Sequence, residues 1–316
     1  RPLWPEMLGF AVMLAVAAAA VRGARRTAWG ALGLGVALLL WPHVASLAGQ
    51  AAGRTSLTLL DVGQGQAAVV EAPGGGRWLV DGGGTKSETF DVGWAVVAQY
   101  LAWGRAPRLE GVILSHPDQD HSQGLVSILE RFAVGGFWSN GDMPDGDLGA
   151  DYRRLLGSGR FPSGLLRAGD VLGLGHGAAL QVLHPAGDFP IQDANERSLM
   201  LRLAWDGHGL ALLPGDVGAA GLDAILASGA VLDVDVLLLP HHGSKNSMAP
   251  DFYARCSPAL ALASCGYLNP FGFPHREVQE VLALSGVGLA ATADLGTLRV
   301  VWPAPGTAPR VSAMRR

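Results

Sequence analysis

Short apolar runs separated by glycine-rich turns fill most of the chain from residue 55 onward. The runs LTLLDV, AAVVEA and RWLVDG have the length of strands, and the turn APGGG joins the last two as a predicted hairpin. Further along, strand-type runs such as VDVLLLPHHG alternate with helical patterns such as HREVQEVLALSG. Strands that outnumber helices early and alternate with them late predict an α/β fold of two sheets with helices outside them.

The first 54 residues have a different pattern, because they contain two long apolar runs. The first run occupies residues 7–21, and the second, within residues 27–53, carries no charged side chain. About 20 such residues suffice to cross a bilayer as a helix. The pattern therefore predicts a hairpin of two transmembrane helices within residues 1–54, and a signal peptide is the alternative for the first run.

The segment between these two runs, residues 22–26, contains three arginines. Arginines in a short loop favour the cytoplasmic side of a membrane. The hairpin would then place a globular domain, residues 55–303, outside the cytoplasm, with residues 304–316 as a C-terminal tail. Because the chain opens at Arg1, we expect the C-terminal part of a longer, multi-pass inner-membrane protein, the alternative being a free-standing chain with an apolar leader.

Composition narrows the class of the globular part. Of 316 residues, 49% are hydrophobic and 16% charged, which excludes a disordered chain. Residues 1–54 hold five of the 23 basic and one of the 27 acidic residues, so residues 55–316 carry a net charge of −8. This charge argues against a strong nonspecific grip on nucleic acid. Cys256 and Cys265 are too few for a disulfide framework and are expected as buried thiols, although a pair stays possible.

Candidate chemistry appears first in the segment SHPDQDH, residues 115–121, which follows a predicted buried strand. His116, Asp118, Asp120 and His121 provide four possible metal ligands within six positions. Imidazole and carboxylate groups bind Zn or Mn, and a set rich in carboxylates favours Mn. A helix cap, the alternative, would explain only one of the aspartates.

Two other predicted strands also end in such groups. Asp216 ends the run LALLPGD, and His241 and His242 end the run VLLLPHHG. A single terminal Asp is more often a helix cap, and a single His is more often a surface residue. Three strand ends of this kind together predict a metal site where the strands leave the sheets.

These motifs resemble the metallo-β-lactamase superfamily and, within it, the ComEC family of competence DNA-uptake proteins. The resemblance covers residues 55–303 and rests on these segments: LLDVGQGQ at 59–66, LVDGGG at 79–84, SHPDQDH at 115–121, LLPGD at 212–216, LPHHGSKNS at 239–247 and NPFGFPH at 269–275. It implies an αββα sandwich of the metallo-β-lactamase type, preceded by the transmembrane hairpin, with the site at the joined edge of the two sheets.

The resemblance also implies a pair of divalent metal ions, Mn or Zn, and hydrolysis of DNA phosphodiester bonds. The ligands carried over for the first ion are His116, Asp118 and Asp216, and those for the second ion are Asp120, His121, Asp216 and one of the pair His241 and His242. The implied role is degradation of the strand that is not imported at a membrane channel. The implied partners are DNA, the membrane, the upstream channel domain of the same protein and a competence DNA receptor.

Residues beside these motifs are further candidates. Ser244 and Lys245 follow the two histidines, and Lys245 could contact a phosphate or be a solvated loop charge. His275 could reach the site from its own loop, and helix capping or surface exposure is the alternative. With Asp120 and His121, Lys245 and His275 form the expected catalytic set.

The sequence departs from the family's pattern in three places. Asp118 stands where the motif His-x-His-x-Asp-His has its second histidine, so we expect the first metal to bind weakly or to prefer Mn. Asn195 stands before SLMLRL where the superfamily usually supplies a third histidine, which leaves His184 as a distant candidate ligand and Asn195 as a substrate-binding candidate. Gln66 stands where DVGQG usually continues with Asp. Two other functions stay open, namely a hydrolase of another ester, such as a phosphocholine ester or a lactone, and a non-catalytic domain that guides DNA.

Overall fold

The computed structural model describes residues 4–21, 29, 31–41, 44, 53–85, 87 and 89–314. The chain divides into two compact units, one of residues 1–52 with 100–106 and the other of residues 53–99 with 107–316. Helix α1 (Trp4–Val21) and helical residues 31–41 belong to the first unit. They pack closely, since a Cβ built on Gly9 would lie 2.9 Å from the carbonyl oxygen of Gly35.

The predicted transmembrane hairpin is not supported by the described residues. Among them, no helix is both long enough and apolar enough to cross a membrane. The arginine segment at 22–26, on which the predicted topology depended, lies outside the described residues, as does much of the second apolar run.

The strands lie in the second unit. In chain order they are β1 (Thr55–Leu59), β2 (Ala68–Glu71), β3 (Arg77–Val80), β4 (Arg108–Leu109), β5 (Gly111–Leu114), β6 (Ala133–Val134), β7 (Phe137–Ser139), β8 (Ser163–Leu165), β9 (Val171–Gly175), β10 (Ala178–His184), β11 (Met200–Trp205), β12 (His208–Leu213), β13 (Val236–Leu238), β14 (Leu260–Ala263), β15 (Gly288–Ala291), β16 (Thr297–Trp302) and β17 (Arg310–Met314).

Helices connect many of these strands. After a π-helical segment, Gly93–Ala98, they are α2 (Gln99–Leu101), α3 (Gln119–Arg131), α4 (Gly146–Leu156), α5 (Ala219–Ser228), α6 (Pro250–Cys256), α7 (Arg276–Leu284) and α8 (Thr292–Leu295). Short 3-10 turns span Pro240–Gly243 and Lys245–Ser247.

The strands form two mixed sheets. The first has the order β17-β16-β1-β2-β3-β5-β7-β8 and the second the order β15-β14-β13-β12-β11-β10-β9, while β4 and β6 pair separately. Strands β3, β5, β7 and β8 run parallel, and so do β12 to β15. Strand β17, which lies within the expected C-terminal tail, pairs with β16 at the edge of the first sheet.

The two sheets pack face to face through alternating apolar side chains. Leu57 and Leu59 of β1 belong to the same buried cluster as Leu201 and Leu203 of β11, as expected for residues two apart on one face of a strand. On the outer face of the second sheet, α6 and α7 bury apolar side chains in a separate cluster, which includes Phe252. Together with α3 beside the first sheet, these layers confirm the predicted α/β arrangement of two sheets with helices outside.

Candidate metal centre

Four parallel strands end at the same edge of the sandwich. Asp81 follows β3, His116 follows β5, Asp216 comes three residues after β12, and His241 and His242 follow β13. The carboxyl ends of neighbouring parallel strands open at one edge of a sheet, so side chains placed there converge. The structure thus brings together groups that lie more than 100 residues apart in the sequence.

Asp216 lies at the centre of this group and is only 4% exposed. Its Oδ1 atom is 3.2 Å from Nε2 of His121. Its Oδ2 atom is 3.4 Å from Nε2 of His242, 3.7 Å from Nε2 of His241 and 4.0 Å from Nε2 of His116. One carboxylate therefore faces histidines that come from both sheets.

The two aspartates of SHPDQDH lie at the open side of this group. Oδ2 of Asp120 is 3.4 Å from Nε2 of His242, and Oδ2 of Asp118 is 3.8 Å from Nε2 of His116. Both carboxylates are partly exposed, whereas His116 and His121 are completely buried. The cluster thus has a buried imidazole floor and a carboxylate rim that solvent or a substrate can reach.

A buried network around Asp81 fixes how the two histidines are oriented. Oδ2 of Asp81 accepts hydrogen bonds from the hydroxyl of Ser115 at 2.8 Å and from Nε2 of Gln66 at 3.0 Å, and lies 2.9 Å from Nδ1 of His121. Oδ1 accepts the Ser115 amide at 2.8 Å. Because Asp81 accepts a hydrogen bond from Nδ1 of His121, the Nε2 atom of that ring faces Asp216.

The same network sets the tautomer of His116. Ser115 gives its hydroxyl proton to Asp81, so its oxygen can only accept from Nδ1 of His116, 3.0 Å away. Nε2 of His116 then carries a lone pair, and this completely buried atom has no hydrogen-bond partner among the described residues. A buried lone pair without a donor is what a metal ligand presents before the ion binds, so the residues fit a divalent ion.

Backbone strain is concentrated in these strand-end residues. Asp81, His241 and His242 have positive φ angles of 60°, 48° and 58°, a left-handed conformation that is rare for residues other than glycine. Residues persist there when the surrounding structure requires it, and such positions cluster at functional sites.

Glycines let two loops approach the start of α3 closely. A Cβ on Gly65 would lie 2.2 Å from the carbonyl oxygen of Asp120, and one on Gly84 would lie 1.9 Å from that of Gln119. The backbone amide of Gln66 donates to the same Asp120 carbonyl at 3.1 Å. The GQG and DGGG segments are therefore the backbone frame that holds the ligand helix.

Mutual electrostatics governs the ionisation of the buried groups. Burial alone would raise the pKa of Asp216, but His242 and His121 outweigh it and hold this pKa well below its ordinary range. Burial would lower the pKa of both histidines, yet the facing carboxylates, Asp216 above all, raise the pKa of His242 to about 9 and that of His121 well above its ordinary value. The apo cluster is thus balanced by its own opposite charges.

The pKa values of His116 and Asp118 shift in the opposite directions to those of the other two histidines and of Asp216. Burial, aided by His121, lowers the pKa of His116 to about 4, so this imidazole is neutral at pH 7 and can donate a lone pair. Burial, aided by Asp120 and Asp216, raises the pKa of Asp118. Two negative neighbours that oppose ionisation of a carboxyl form a place where added positive charge is favourable.

Two sets of side chains have ligand atoms close enough to share an ion. The first is His116, His121 and Asp216, and the second is Asp120, His121 and His242. Among the described residues, each set holds its ligand atoms within 4.8 Å of one another. These side chains could therefore bind divalent cations at the open edge of the sandwich.

No family model matches the chain, but several curated proteins do. It is 30% identical to Competence protein ComA of Neisseria gonorrhoeae over 77% of this chain and 32% of that protein. It is 28% identical to ComE operon protein 3 of Bacillus subtilis over 76% and 32% of the two chains. It is 30% identical to Recombination protein 2 of Haemophilus influenzae over 76% and 28%. The chain belongs to the ComEC family.

This ComEC-family chain spans about a third of the length of the curated relatives it matches. Solved structures are similar at lower identity. Igni18, a metallo hydrolase from Ignicoccus hospitalis, is 18% identical with a TM-score of 0.47, over 83% of this chain and 100% of that one. The metallo-β-lactamase fold protein YhfI from Bacillus subtilis is 13% identical with a TM-score of 0.49, over 75% and 96%.

The residues predicted beside the ComEC-family motifs lie in different settings. Lys245 is exposed, and its backbone amide donates to Nδ1 of His275 at 3.1 Å. Ser244 is buried, and its hydroxyl accepts the amide of Asn246 at 3.2 Å, so it closes a local turn. The backbone amide of His275 donates to the carbonyl of Gly243. This hydrogen bond joins the loop of His275 to the 3-10 turn Pro240–Gly243, which holds His241 and His242.

Asn195 and His184, the two candidates near the missing third histidine, also lie in different settings. Oδ1 of Asn195 is buried and finds no hydrogen-bond partner in the part of the chain that the structure describes. The backbone carbonyl of Asn195 accepts the amide of Ser198. The hydroxyl of Ser198 in turn accepts the amide of Asp216 at 3.2 Å. Nε2 of His184 is 2.7 Å from the carbonyl of Glu196, so it is used in a backbone contact rather than turned to the cluster.

Sequence reasoning missed three contributors to the site. Ser115 is the first residue of the motif SHPDQDH, but serine is not a usual metal ligand. Ser198 lies in no distinguishing pattern. Phe273 lies in NPFGFPH, and its ring is stacked near His242 with centroids 6.0 Å apart. Its position in a glycine- and proline-rich loop gave no clear signal, because the Phe273 ring also packs against the apolar cluster on the outer face of the second sheet.

Proposed function

We propose that this chain is a metal-dependent hydrolase with a metallo-β-lactamase-like αββα sandwich, and that it cleaves the phosphodiester bonds of DNA. One observation carries the proposal: Asp216, only 4% exposed, faces Nε2 of His121 at 3.2 Å and Nε2 of His242 at 3.4 Å. His121 lies on α3, which follows a strand of the first sheet, and His242 on the turn that follows β13 of the second. A buried acid and imidazoles assembled from distant strand ends are costly to desolvate unless they serve a ligand.

We assign the ligands as the sequence motifs suggested, for a pair of Mn or Zn ions. His116, Asp118 and Asp216 would hold one ion, and Asp120, His121, Asp216 and His242 the other. The geometry favours His242 over His241, because Nε2 of His242 is 3.4 Å from both Asp120 and Asp216, whereas the His241 side chain is 24% exposed.

The chain's own residues then have distinct tasks. Divalent ions held by these residues would supply positive charge against the phosphodiester and would make water a better nucleophile. Asp81 and Ser115 keep the Nε2 atoms of His121 and His116 directed into the cluster. Lys245 is exposed and begins the 3-10 turn Lys245–Ser247, where its backbone amide donates to Nδ1 of His275. Its side chain would contact a substrate phosphate.

The family membership supports a role for this proposed activity in competence. We propose that the strand of DNA that is not imported is degraded here, beside a channel formed by an upstream domain of the same inner-membrane protein. In this arrangement the domain would lie outside the cytoplasm and receive DNA from a competence DNA receptor. Delivery of DNA by a channel would reduce the need for intrinsic affinity, which agrees with a net charge of −8 in residues 55–316.

The test is hydrolysis of single- and double-stranded DNA by the full chain with Mn, Zn or Mg. We expect activity with at least one ion and its loss in Asp120→Ala, because Asp120 faces His242 at the rim of the cluster. Asp223→Ala is the matched control, since Asp223 is an exposed acid on α5 and should leave activity unchanged.

Absence of DNA hydrolysis with every ion would refute the nuclease proposal, as would equal activity in Asp120→Ala. Activity on a phosphocholine ester or a lactone, without activity on DNA, would assign the same centre to another substrate.

A further inference from the structure

The loop that follows β14, residues 266–275, exposes apolar side chains next to the metal centre. Tyr267 is 77% exposed, Leu268 83% and Phe271 51%. Single exposed apolar residues are common on protein surfaces, but three within five positions form a patch that indicates an interaction site. We call residues 266–275 the aromatic loop.

The aromatic loop continues a stack of rings that begins inside the metal centre. The rings of His242 and Phe273 are 6.0 Å apart and inclined by 29°, and those of Phe273 and Phe271 are 5.4 Å apart and inclined by only 16°. Near-parallel rings at this spacing are in stacking geometry. The stack thus leads from a candidate metal ligand to the half-exposed ring of Phe271.

Hydrogen bonds hold the aromatic loop in this shape. The side-chain amide of Asn269 donates to the carbonyls of Gly266 and Phe273, and its oxygen accepts the amide of Phe273 at 2.8 Å. Leu268, the most exposed of these residues, has a positive φ of 52°. A loop that is fixed while displaying apolar side chains is prepared for a partner and loses little entropy on binding.

We propose that the aromatic loop is a stacking platform for unpaired nucleobases, so that the substrate of the proposed nuclease is single-stranded DNA. The inference rests on the proposed function and adds a substrate class to it. Bases of a single strand stack on exposed aromatic rings whatever their sequence. Lys245 lies on the adjoining turn, bonded to His275 of the same loop, and offers a cation to the backbone phosphate.

Charge and ring geometry favour a single strand of DNA over a duplex or a lipid surface as the occupant of the aromatic loop. Residues 266–275 contain no Asp or Glu, although residues 55–316 as a whole are acidic, so the loop itself adds no negative charge against a phosphate chain. A duplex could not use the platform, because its bases are already stacked on each other. A lipid surface would use the apolar side chains but not the parallel rings.

The test measures binding of a short fluorescent oligothymidylate with phosphorothioate linkages, which resist hydrolysis, to the full chain in Mn²⁺. Loss of a stacked ring weakens single-strand binding about tenfold, so Phe271→Ala and Tyr267→Ala should each bind that much more weakly, and Phe271→Trp should restore affinity. Leu284→Ala is the control, because Leu284 is 90% exposed on α7 and should bind as the parent does.

An abasic oligonucleotide with the same phosphates gives the second arm. We expect the parent chain to bind it about as weakly as Phe271→Ala binds oligothymidylate, and Phe271→Ala to make no further difference. Unchanged Mn²⁺ affinity in each variant will show that the metal centre is intact.

Equal affinity of the parent chain for the oligothymidylate and its abasic form would overturn the platform. Affinity for oligothymidylate as high as the parent's in both alanine variants would also overturn it. Binding to anionic phospholipid vesicles that is lost in these variants, without change in oligonucleotide binding, would also overturn it in favour of a membrane contact. Base-dependent binding without any DNA hydrolysis would uphold the platform while the proposed nuclease failed, so the two are distinguished.

Discussion

Asp81 stands outside both sets of candidate ligands, yet it decides which nitrogens of His116 and His121 face them. It does so through one direct contact with His121 and one relay through Ser115. Such supporting carboxylates orient metal-binding histidines and raise their basicity. The positive φ of Asp81 is acceptable for Asp or Asn, which visit the left-handed region more readily than most residues.

Asp81→Asn should therefore preserve the backbone and disturb the tautomers. The carboxylate accepts the Ser115 amide at Oδ1 and the Ser115 hydroxyl and His121 at Oδ2. An amide has one acceptor oxygen only, so its NH2 group must replace one of these two acceptors and face a donor. We expect affinity for Mn²⁺ to fall about 10–100-fold, measured by calorimetric titration of the full chain. Asp223→Asn is the control on the surface, and an Asp81→Asn variant that binds Mn²⁺ like the parent would contradict this account.

Single residues of the site differ in how far the sequence could predict them. His116, Asp216 and the pair His241 and His242 were predicted because each follows an apolar strand, although the sequence did not choose between the two histidines of the pair. The partner of Ser115 lies 34 positions away, and that of Asp216 at Ser198 lies 18 away. Sequence spacing gives neither the register nor the side-chain direction that makes these pairs. The role of Gln66, open from the sequence, is a hydrogen bond to Asp81.

At the scale of elements, the glycine loops after β1 and β3 matter more than any helix propensity of α3. The amides of Gln66 and Gly82 donate to the carbonyls of Asp120 and His121 at 3.1 and 2.7 Å. These bonds place the first turn of α3, and with it two candidate ligands, against the ends of two strands. The approach is only possible where no side chain intervenes.

Gly65→Ala tests this packing. Gly65 has a φ of 120°, and a Cβ there would lie 2.2 Å from the carbonyl oxygen of Asp120, so both the conformation and the space are unfavourable. We expect a loss of at least about 2 kcal/mol in the free energy of unfolding, measured by urea denaturation. Gly187→Ala, where a Cβ meets nothing within 4 Å, should be near neutral, and similar losses in both variants would contradict the argument.

Elements were predictable in proportion to how deeply they are buried. Strands β1, β5 and β12 are almost wholly buried, and their apolar runs were visible in the sequence. Strands β8 and β17 have mostly exposed residues, so no alternation marks them, and they form by pairing at the edges of a sheet that already exists. Such edge strands take their conformation from the neighbour rather than from their own pattern.

At the scale of the whole molecule, the candidate site joins two sheets that otherwise meet through apolar contacts. His116 and His121 come from the first sheet and the helix that follows it, whereas Asp216 and His242 come from the second. An ion held by both groups would therefore link the two halves of the sandwich. The unfolded chain cannot bring these ligands together, because more than 90 residues separate His121 from Asp216.

Mn²⁺ should therefore raise the thermal stability of the full chain. A ligand that binds only the folded state at about 100 times its Kd stabilises by about 2.7 kcal/mol, which for a domain of this size corresponds to a rise in Tm of roughly 5–10 °C. Calorimetry with Mn²⁺ and then with excess EDTA measures the rise and its reversal. In Asp216→Asn the rise should vanish, because the carboxylate that faces histidines of both sheets is gone. A parent chain that is indifferent to Mn²⁺, or an Asp216→Asn variant stabilised as much as the parent, would mean that the acids and histidines at this edge balance one another without an ion.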